Sequence, residues 1–165
     1  MTQADLNAKA RRIQLVLTDV DGVLTDGGVY YGESGEVFKR FNIRDGMGVE
    51  RLRQVGVETG IVTGELSPSV AKRAEKLRIT ELHLGVKDKP ARLAEILAKT
   101  GLQAEDVAFI GDDTNDVAVL QLVGLAACPG DATSFARAVA DYQCAAYGGQ
   151  GAFRELAELI IASKQ

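Results

Sequence analysis

Two aspartates lie one residue apart, directly after a continuous apolar run at Ile13–Thr18. Such a run is typical of a buried parallel strand. In open α/β sheets, ligands bind at the carboxyl ends of the strands, so Asp19 and Asp21 stand where a ligand would bind. Gly22 then allows a sharp turn. Because aspartate and glycine are also common in solvent-exposed turns, this pair needs support from the rest of the chain.

Groups suited to a phosphate follow two more apolar runs. Thr63, Gly64 and Glu65 end the run Val57–Thr63 just before a predicted helix. A hydroxyl, backbone N–H groups and the positive end of a helix favour phosphate binding. Lys89 comes after a third run and adds a cation. The two loops therefore predict a phosphate site, although each loop alone is also an ordinary solvent-exposed segment.

An acidic cluster follows a fourth run, Val107–Gly111. It contains Asp112, Asp113 and Asp116. Carboxylates at a strand end suit a hard cation such as Mg²⁺, which prefers oxygen ligands. Because each of the four groups follows a predicted parallel strand, we expect all of them to meet at one edge of the sheet.

Apolar runs and segments of helical period alternate along the chain. This alternation predicts a single α/β domain over residues 1–165, with a Rossmann-like parallel sheet and helices on both faces. Strands are predicted at Ile13–Thr18, Val57–Thr63, Glu81–Leu84, Val107–Gly111 and Leu125–Ala127. Helices are predicted at Gly46–Val55, Pro68–Leu77, Pro90–Lys99, Asn115–Leu122, Ala132–Ala140 and Phe153–Ala162. A Gly-Glu-Ser-Gly turn between Val29–Tyr31 and Val37–Phe41 predicts a β-hairpin after the first strand.

Bulk properties narrow the class of protein. The 165 residues carry a formal net charge of −4, which argues against sequence-independent binding of nucleic acid. No apolar run approaches the ~20 residues that span a bilayer, so no membrane partner is expected. The polar segment Met1–Arg12 lacks the apolar stretch of a signal peptide, which makes the cytoplasm the expected location.

The four groups together resemble the motifs of the haloacid dehalogenase superfamily. The matching residues are Asp19–Gly27, Thr63-Gly64, Lys89 and Gly111–Asp116. The hairpin, the segment Phe41–Gly48 and the tail Gly148–Glu155 are most similar to the small tetrameric branch of 3-deoxy-D-manno-octulosonate 8-phosphate phosphatases. That branch includes phosphatases of nine-carbon keto-deoxy sugar acid 9-phosphates. The resemblance covers nearly the whole chain.

The resemblance implies a role for each matching residue. Asp19 is the nucleophile that forms an aspartyl-phosphate, and Asp21 protonates the leaving oxygen before it takes a proton from water. Asp19, the backbone carbonyl of Asp21 and Asp112 hold Mg²⁺. Lys89 and Thr63 stabilise the phosphoryl oxygens. A further aspartate is expected to support the site. It is either Asp116, which would orient Lys89 or a metal-bound water, or Asp113, which would hold that water.

Substrate choice is predicted from the helix that follows Thr63-Gly64. Arg73 and Lys76 can share a face three residues apart and are expected to bind the substrate carboxylate in a neighbouring subunit. Relatives specific for the eight-carbon substrate tend to carry arginine at the position of Glu65, whereas glutamate resembles the nine-carbon branch. Such a glutamate would accept hydrogen bonds from sugar hydroxyls or hold Lys76. The eight-carbon sugar acid phosphate is the first expected substrate, and the nine-carbon one is the second.

Spacing also bears on assembly. The chain between Asp21 and Thr63, and between Thr63 and Lys89, is too short for an inserted cap domain. We therefore expect neighbouring subunits to cover the site in a homotetramer, as in the resembled branch. The hairpin, with Tyr30, Tyr31 and Phe38, would form part of the interface.

Two other classes of protein share some of these features. A phosphorylated receiver domain also combines acids, a hydroxyl and a lysine on an α/β fold, but its paired acids and its phosphorylated aspartate lie on different strands. Here the first strand carries both Asp19 and Asp21. A binding module without activity is disfavoured because every catalytic position is filled.

Overall fold

The computed structural model describes the whole chain, Met1–Gln165. Its strands are β1 (Leu15–Thr18), β2 (Tyr30–Gly32), β3 (Gly35–Phe38), β4 (Glu58–Val62), β5 (Glu81–His83), β6 (Val107–Ile110), β7 (Leu125–Cys128) and β8 (Tyr142–Gln143). Its α-helices are α1 (Gln3–Arg12), α2 (Ile43–Gln54), α3 (Pro68–Leu77), α4 (Lys89–Thr100), α5 (Val117–Leu120), α6 (Ser134–Val139) and α7 (Ala152–Ser163). Short 3₁₀ turns lie at Ala104–Asp106 and Thr114–Asp116.

Six of the strands form one parallel sheet in the order β5-β4-β1-β6-β7-β8. In its register, Thr18 at the end of β1 pairs with Ile61 of β4 and with Ile110 of β6. The three central strands therefore end almost level. The residues that follow them emerge side by side at one edge, as the sequence predicts.

Helices cover both faces of this sheet, which confirms the predicted layers. One apolar core packs α1, α2, α3 and α7 against one face, and it includes Leu52, Val70 and Phe153. The other core packs α4, α5 and α6 against the opposite face, around Ile96 and Phe109. Strand residues alternate between the two cores, because successive side chains of a strand point to opposite faces.

Local signals explain where the helices that border the site begin. Ser67 caps α3 by accepting a hydrogen bond from the Val70 N–H, and Pro68 occupies the first turn, as predicted. Asp88 caps α4 in the same way through the Ala91 N–H. Helix α2 starts at Ile43 rather than at Gly46, because the Asn42 side chain caps it.

The predicted hairpin is present, but its strands are shifted along the chain, to Tyr30–Gly32 instead of Val29–Tyr31 and to Gly35–Phe38 instead of Val37–Phe41. Strands β2 and β3 pair antiparallel around a tight turn, and the rings of Tyr30 and Phe38 stack with centroids 4.5 Å apart. The second strand ends at Phe38 because the chain then turns inward to bury Lys39. Between β1 and β4 the chain forms only this hairpin and α2, so the fold contains no cap domain. None of the helices combines the length and the apolar character needed to cross a membrane.

Asp45 is a buried carboxylate that joins α2 to α7. Its Oδ1 accepts a hydrogen bond from the Arg154 N–H in the first turn of α7, a helix without a side-chain cap. Its Oδ2 has no hydrogen-bond partner, and neither does the hydroxyl of Thr59. Both residues line a small cavity of about 10 Å³. Burial raises the pKa of Asp45 from 3.8 to about 6, against the opposing effect of the Arg154 hydrogen bond.

This raised pKa predicts a pH-dependent stability. A carboxyl group with a higher pKa in the folded state binds protons more tightly there, so its contribution to stability falls as the pH rises from about 4 to about 6. We expect Asp45→Asn to increase the free energy of unfolding near pH 8 by about 1–3 kcal/mol, since the amide is neutral and keeps the oxygen that accepts from the Arg154 N–H. Urea unfolding of both proteins between pH 4 and 8 measures the difference. A variant less stable than the wild type at pH 8 would contradict the prediction.

Candidate active site

An open cleft of about 290 Å³ lies at the carboxyl edge of the sheet. It is lined without any hydrophobic residue by Asp19, Asp21, Gly22, Gly27, Thr63, Gly64, Glu65, Asp112, Asp113 and Asn115. The list includes residues from three of the four groups singled out in the sequence. Such a polar cleft suits a small, charged and hydrated ligand.

A buried lysine lies between Asp19, which lines this cleft, and the buried Asp116. Lys89 begins α4, and its ammonium group lies 3.0 Å from Asp19 Oδ2 and donates a hydrogen bond of 2.5 Å to Asp116 Oδ1. Asp19 directly follows β1, and its Oδ1 accepts a hydrogen bond from the Val20 N–H. The lysine is therefore fixed beside Asp19, where it can bind an anion that approaches this carboxylate.

Asp112 completes a group of three carboxylates. Oxygen atoms of Asp19, Asp112 and Asp116 lie within 4.8 Å of one another. Burial, followed by the negative charges of Asp19 and Asp116, raises the pKa of Asp112 to about 7. Burial and the charge of Asp116 raise the pKa of Asp19 to about 6, although Lys89 opposes this shift. Carboxylates crowded in this way have the oxygen donors and the uncompensated negative charge that a divalent cation requires.

The remaining two aspartates of the cluster have different local partners. Asp116 is fully buried, and its Oδ2 accepts hydrogen bonds from the N–H groups of Asp112 at 3.0 Å and Asp113 at 3.5 Å. Asp113 instead caps the following 3₁₀ turn, because its Oδ1 accepts from the Thr114 N–H. Asp116 thus holds both Lys89 and the loop that carries Asp112, whereas Asp113 lines the cleft from the side.

The loop after β4 forms the opposite wall of the cleft. Thr63 is buried, and its hydroxyl accepts a weak hydrogen bond of 3.4 Å from the Glu65 N–H. Gly64 and the exposed Glu65 follow it along the cleft. The exposed Lys87 donates to the Gly64 carbonyl at 3.2 Å, which ties this loop to the loop that carries Lys89.

Asp21 has a partner that the sequence analysis missed. The ammonium group of Lys39, which follows β3, donates to both Asp21 oxygens, at 2.6 and 2.7 Å. The side chain of Lys39 is only 1% exposed. No motif identifies this lysine, and the neighbouring Arg40 looks equivalent to it in the sequence while lying on the surface.

Arg73 and Lys76 do not line the cleft of their own chain. Arg73 is half-buried, donates to the Asn42 carbonyl at 2.9 Å and lies over the ring of Phe41. Lys76 is exposed on α3 and lines a separate groove with Arg73. Glu65 and Lys76 line different depressions. The expected contact of Arg73 and Lys76 with a neighbour's substrate stays a prediction.

The glycine-rich tail supports the first loop of the cleft. The Gly149 N–H donates to the Val23 carbonyl, and the Gly149 carbonyl accepts from the Asn42 side chain. A Cβ atom on Gly148 would lie 2.0 Å from the Gly22 carbonyl oxygen, so only glycine allows this approach. The tail, the segment that precedes α2 and the loop after β1 therefore pack as one unit.

Comparisons with known proteins agree with this geometry. The sequence model of one protein family, the haloacid dehalogenase-like hydrolases, matches residues 47–124 of this chain. The 3-deoxy-D-manno-octulosonate 8-phosphate phosphatase of Escherichia coli K12 is 40% identical over 158 residues, which are 96% of this chain and 84% of that protein.

Solved structures extend the likeness to three dimensions. The Moraxella catarrhalis phosphatase of the same name, solved with magnesium, phosphate and KDO, is 35% identical with a TM-score of 0.95, covering 99% of this chain and 94% of that one. The cobalt-bound Haemophilus influenzae enzyme is 34% identical with a TM-score of 0.92, covering 94% of this chain and 91% of that one. This chain belongs to the haloacid dehalogenase-like hydrolases and is a phosphatase of that family.

Proposed function

We propose that the protein hydrolyses the phosphate ester of a 2-keto-3-deoxy sugar acid through an aspartyl-phosphate on Asp19, with 3-deoxy-D-manno-octulosonate 8-phosphate as its first candidate substrate. The observation that carries the proposal is the buried Lys89 ammonium group 3.0 Å from Oδ2 of Asp19, a residue that lines a cleft without apolar side chains. A carboxylate beside a buried cation at a strand end is the arrangement that a covalent phosphatase needs. The relatives that carry this substrate in their names support the choice.

Magnesium fits the acidic side of the cleft. Asp19 and Asp112 offer carboxylate oxygens, and the backbone carbonyl of Asp21 is proposed as the third protein ligand. Asp116 is less available, because both of its oxygens already accept hydrogen bonds. A bound Mg²⁺ supplies positive charge that offsets the repulsion between a carboxylate and a phosphate dianion.

In the first half of the reaction, an Asp19 oxygen bonds to phosphorus while the bond to the sugar oxygen breaks, and Asp21 gives that oxygen a proton. In the second half, water attacks the same phosphorus, the bond to Asp19 breaks and Asp21 takes a proton from the water. Lys89 and the Thr63 hydroxyl stabilise the phosphoryl oxygens throughout. Asp116 orients Lys89, and its hydrogen bond to that lysine makes it the better candidate for this role than Asp113.

The nine-carbon sugar acid 9-phosphate is the second candidate because of Glu65. Its exposed carboxylate lies in the cleft. There it would repel another carboxylate placed beside it and accept hydrogen bonds from sugar hydroxyls. The decisive experiment is kcat/KM on both phosphates, for the wild type and Glu65→Arg, with Mg²⁺ and with EDTA.

We expect phosphate release that EDTA abolishes and Mg²⁺ restores. If Glu65 sets the preference between the two substrates, Glu65→Arg should shift the ratio of their kcat/KM values toward the eight-carbon substrate by about tenfold or more. This is the size of effect expected of one polar contact. A metal-independent activity would refute the role of Asp112. An unchanged ratio would place substrate choice elsewhere.

A homotetramer in the cytoplasm completes the proposal. The hairpin exposes Tyr30, Tyr31, Val37 and Phe38 by 52–73%, and a cluster of large apolar side chains of this kind marks an interaction surface. The open cleft has no cover within its own chain, so a neighbouring subunit that brings Arg73 and Lys76 would exclude water and bind the substrate carboxylate. Light scattering at assay concentrations should give the mass of four chains, and a fully active monomer would end this part of the proposal.

A further inference from the structure

Lys39 is a buried cation that the reaction described above leaves without a role. It follows the hairpin, and its side chain is almost fully buried. Lysine is seldom buried unless charged or polar groups pair with it. Its ammonium group contacts both oxygens of Asp21 and lies 3.4 Å from Glu36 Oε2. The two carboxylates more than balance its charge. Such a contact costs desolvation, so it is weak evidence for a purely stabilising role.

Further contacts fix this lysine in place. Glu36 Oε1 accepts a hydrogen bond of 2.5 Å from the Ser67 hydroxyl. Ser67 caps α3, the helix that begins just after the Thr63–Glu65 loop. The Thr25 hydroxyl makes a longer contact, 3.4 Å, with Asp21 Oδ1. Lys39 and Glu36 therefore join Asp21 on one wall of the cleft to the start of α3 on the other.

The contact restricts a side chain that would otherwise rotate. An aspartate at a cleft mouth has two free torsions, and the Asp21 side chain is 26% exposed. One ammonium group bound to both oxygens fixes the plane of the carboxylate. A correctly oriented base reacts faster because the orientation is already set before the reaction.

We propose that Lys39 is a positioning residue that orients the Asp21 carboxylate for the step in which water attacks the aspartyl-phosphate, with Glu36 holding Lys39 in place. The proposal rests on the function assigned to Asp21 above. In this step the water oxygen bonds to phosphorus, the phosphorus bond to Asp19 breaks and one water proton moves to Asp21. Lys39 itself is not among the residues that line the cleft.

The test is a double-mutant cycle on kcat, measured with p-nitrophenyl phosphate and Mg²⁺. This substrate has a good leaving group, so the attack of water weighs more heavily in kcat. The four proteins are the wild type, Lys39→Met, Asp21→Asn and the double variant. We expect Lys39→Met to lower kcat by about 10–100-fold with little change in KM, the range found when a group that orients a reactive residue is removed. In the Asp21→Asn background the same substitution should have almost no effect, because a residue that acts through Asp21 has nothing left to orient.

Two further variants separate positioning from general damage to the hairpin. Lys39→Arg keeps a cation that can bind both oxygens, so it should recover part of the lost kcat. Arg40→Met is the matched control, because Arg40 is the next residue and pairs with Asp26 on the surface. Its kcat should stay within about twofold of the wild type, as expected of an exposed ion pair.

Circular dichroism checks that each variant folds. If Lys39→Met does not fold, Glu36→Gln replaces it in the double-mutant cycle. Its amide can still accept from Ser67 but no longer attracts Lys39, so kcat should fall several-fold only when Asp21 is present. Equal losses of kcat with and without Asp21, in whichever variant folds, would overturn the proposal. An Asp21→Asn variant as fast as the wild type would instead remove the function assigned to Asp21.

Discussion

Asp19→Asn should abolish measurable turnover, with a fall in kcat of at least about a thousandfold. The amide has nearly the same shape as the carboxylate but is a poor nucleophile, so no aspartyl-phosphate forms. The fold should persist, since Lys89 keeps its hydrogen bond to Asp116 and the buried site loses one of its crowded negative charges. Phosphate release with Mg²⁺ gives the rate, and an acid-quenched reaction with labelled substrate shows whether phosphate becomes bound to the protein.

Asp106→Asn is a suitable control for the same chemical change. Asp106 precedes β6, at the opposite edge of the sheet from the cleft, and its side chain pairs with Arg12. We expect this variant to retain wild-type kcat and to bind labelled phosphate in the quenched reaction. Substantial turnover by Asp19→Asn, or a labelled phosphoprotein formed by it, would remove Asp19 from the role of nucleophile.

The sequence was sufficient to predict how the chemical groups converge, because parallel strands end together. An apolar run that becomes polar marks a strand end, and the register then places the residues after Thr18, Ile61 and Ile110 side by side. The same rule required no knowledge of loop conformations. Helix caps such as Ser67 were equally readable, because capping is a local interaction between residues close in the chain.

Features that depend on distant contacts were not readable. Helix α1 was missed because it is polar and buries only Leu6 and Ala10, so its apolar periodicity is weak. Strand β8 has two residues, too few for a pattern. The contact between Lys39 and Asp21 spans 18 positions and depends on how the hairpin packs. Short-range periodicity cannot distinguish this lysine from the exposed Arg40.

Gly22→Ala is expected to have the second largest effect, because this glycine lies against the carboxylate of Asp112. Gly22 has a φ of +81°, and a Cβ atom there would lie 2.1 Å from Asp112 Oδ2. Such an overlap forces the Asp112 side chain to move away from residue 22, and this movement disturbs its position beside Asp19. We expect kcat/KM to fall by about 100-fold and the Mg²⁺ concentration for half-maximal activity to rise, since displaced ligands bind metal less tightly. Titration of activity with Mg²⁺ and calorimetric Mg²⁺ binding measure the two effects.

Gly27→Ala separates this steric effect from backbone strain. Gly27 lines the same cleft with a φ of +80°, but a Cβ atom there would meet nothing closer than 3.8 Å. Both alanines carry the same left-handed strain of about 1–2 kcal/mol, so thermal unfolding should show similar losses of stability. Only Gly22→Ala should lose Mg²⁺ affinity. Equal Mg²⁺ affinities in the two variants would show that the approach of Asp112 to Gly22 does not hold the metal ligand in place, and that any loss of activity comes from the strained backbone alone.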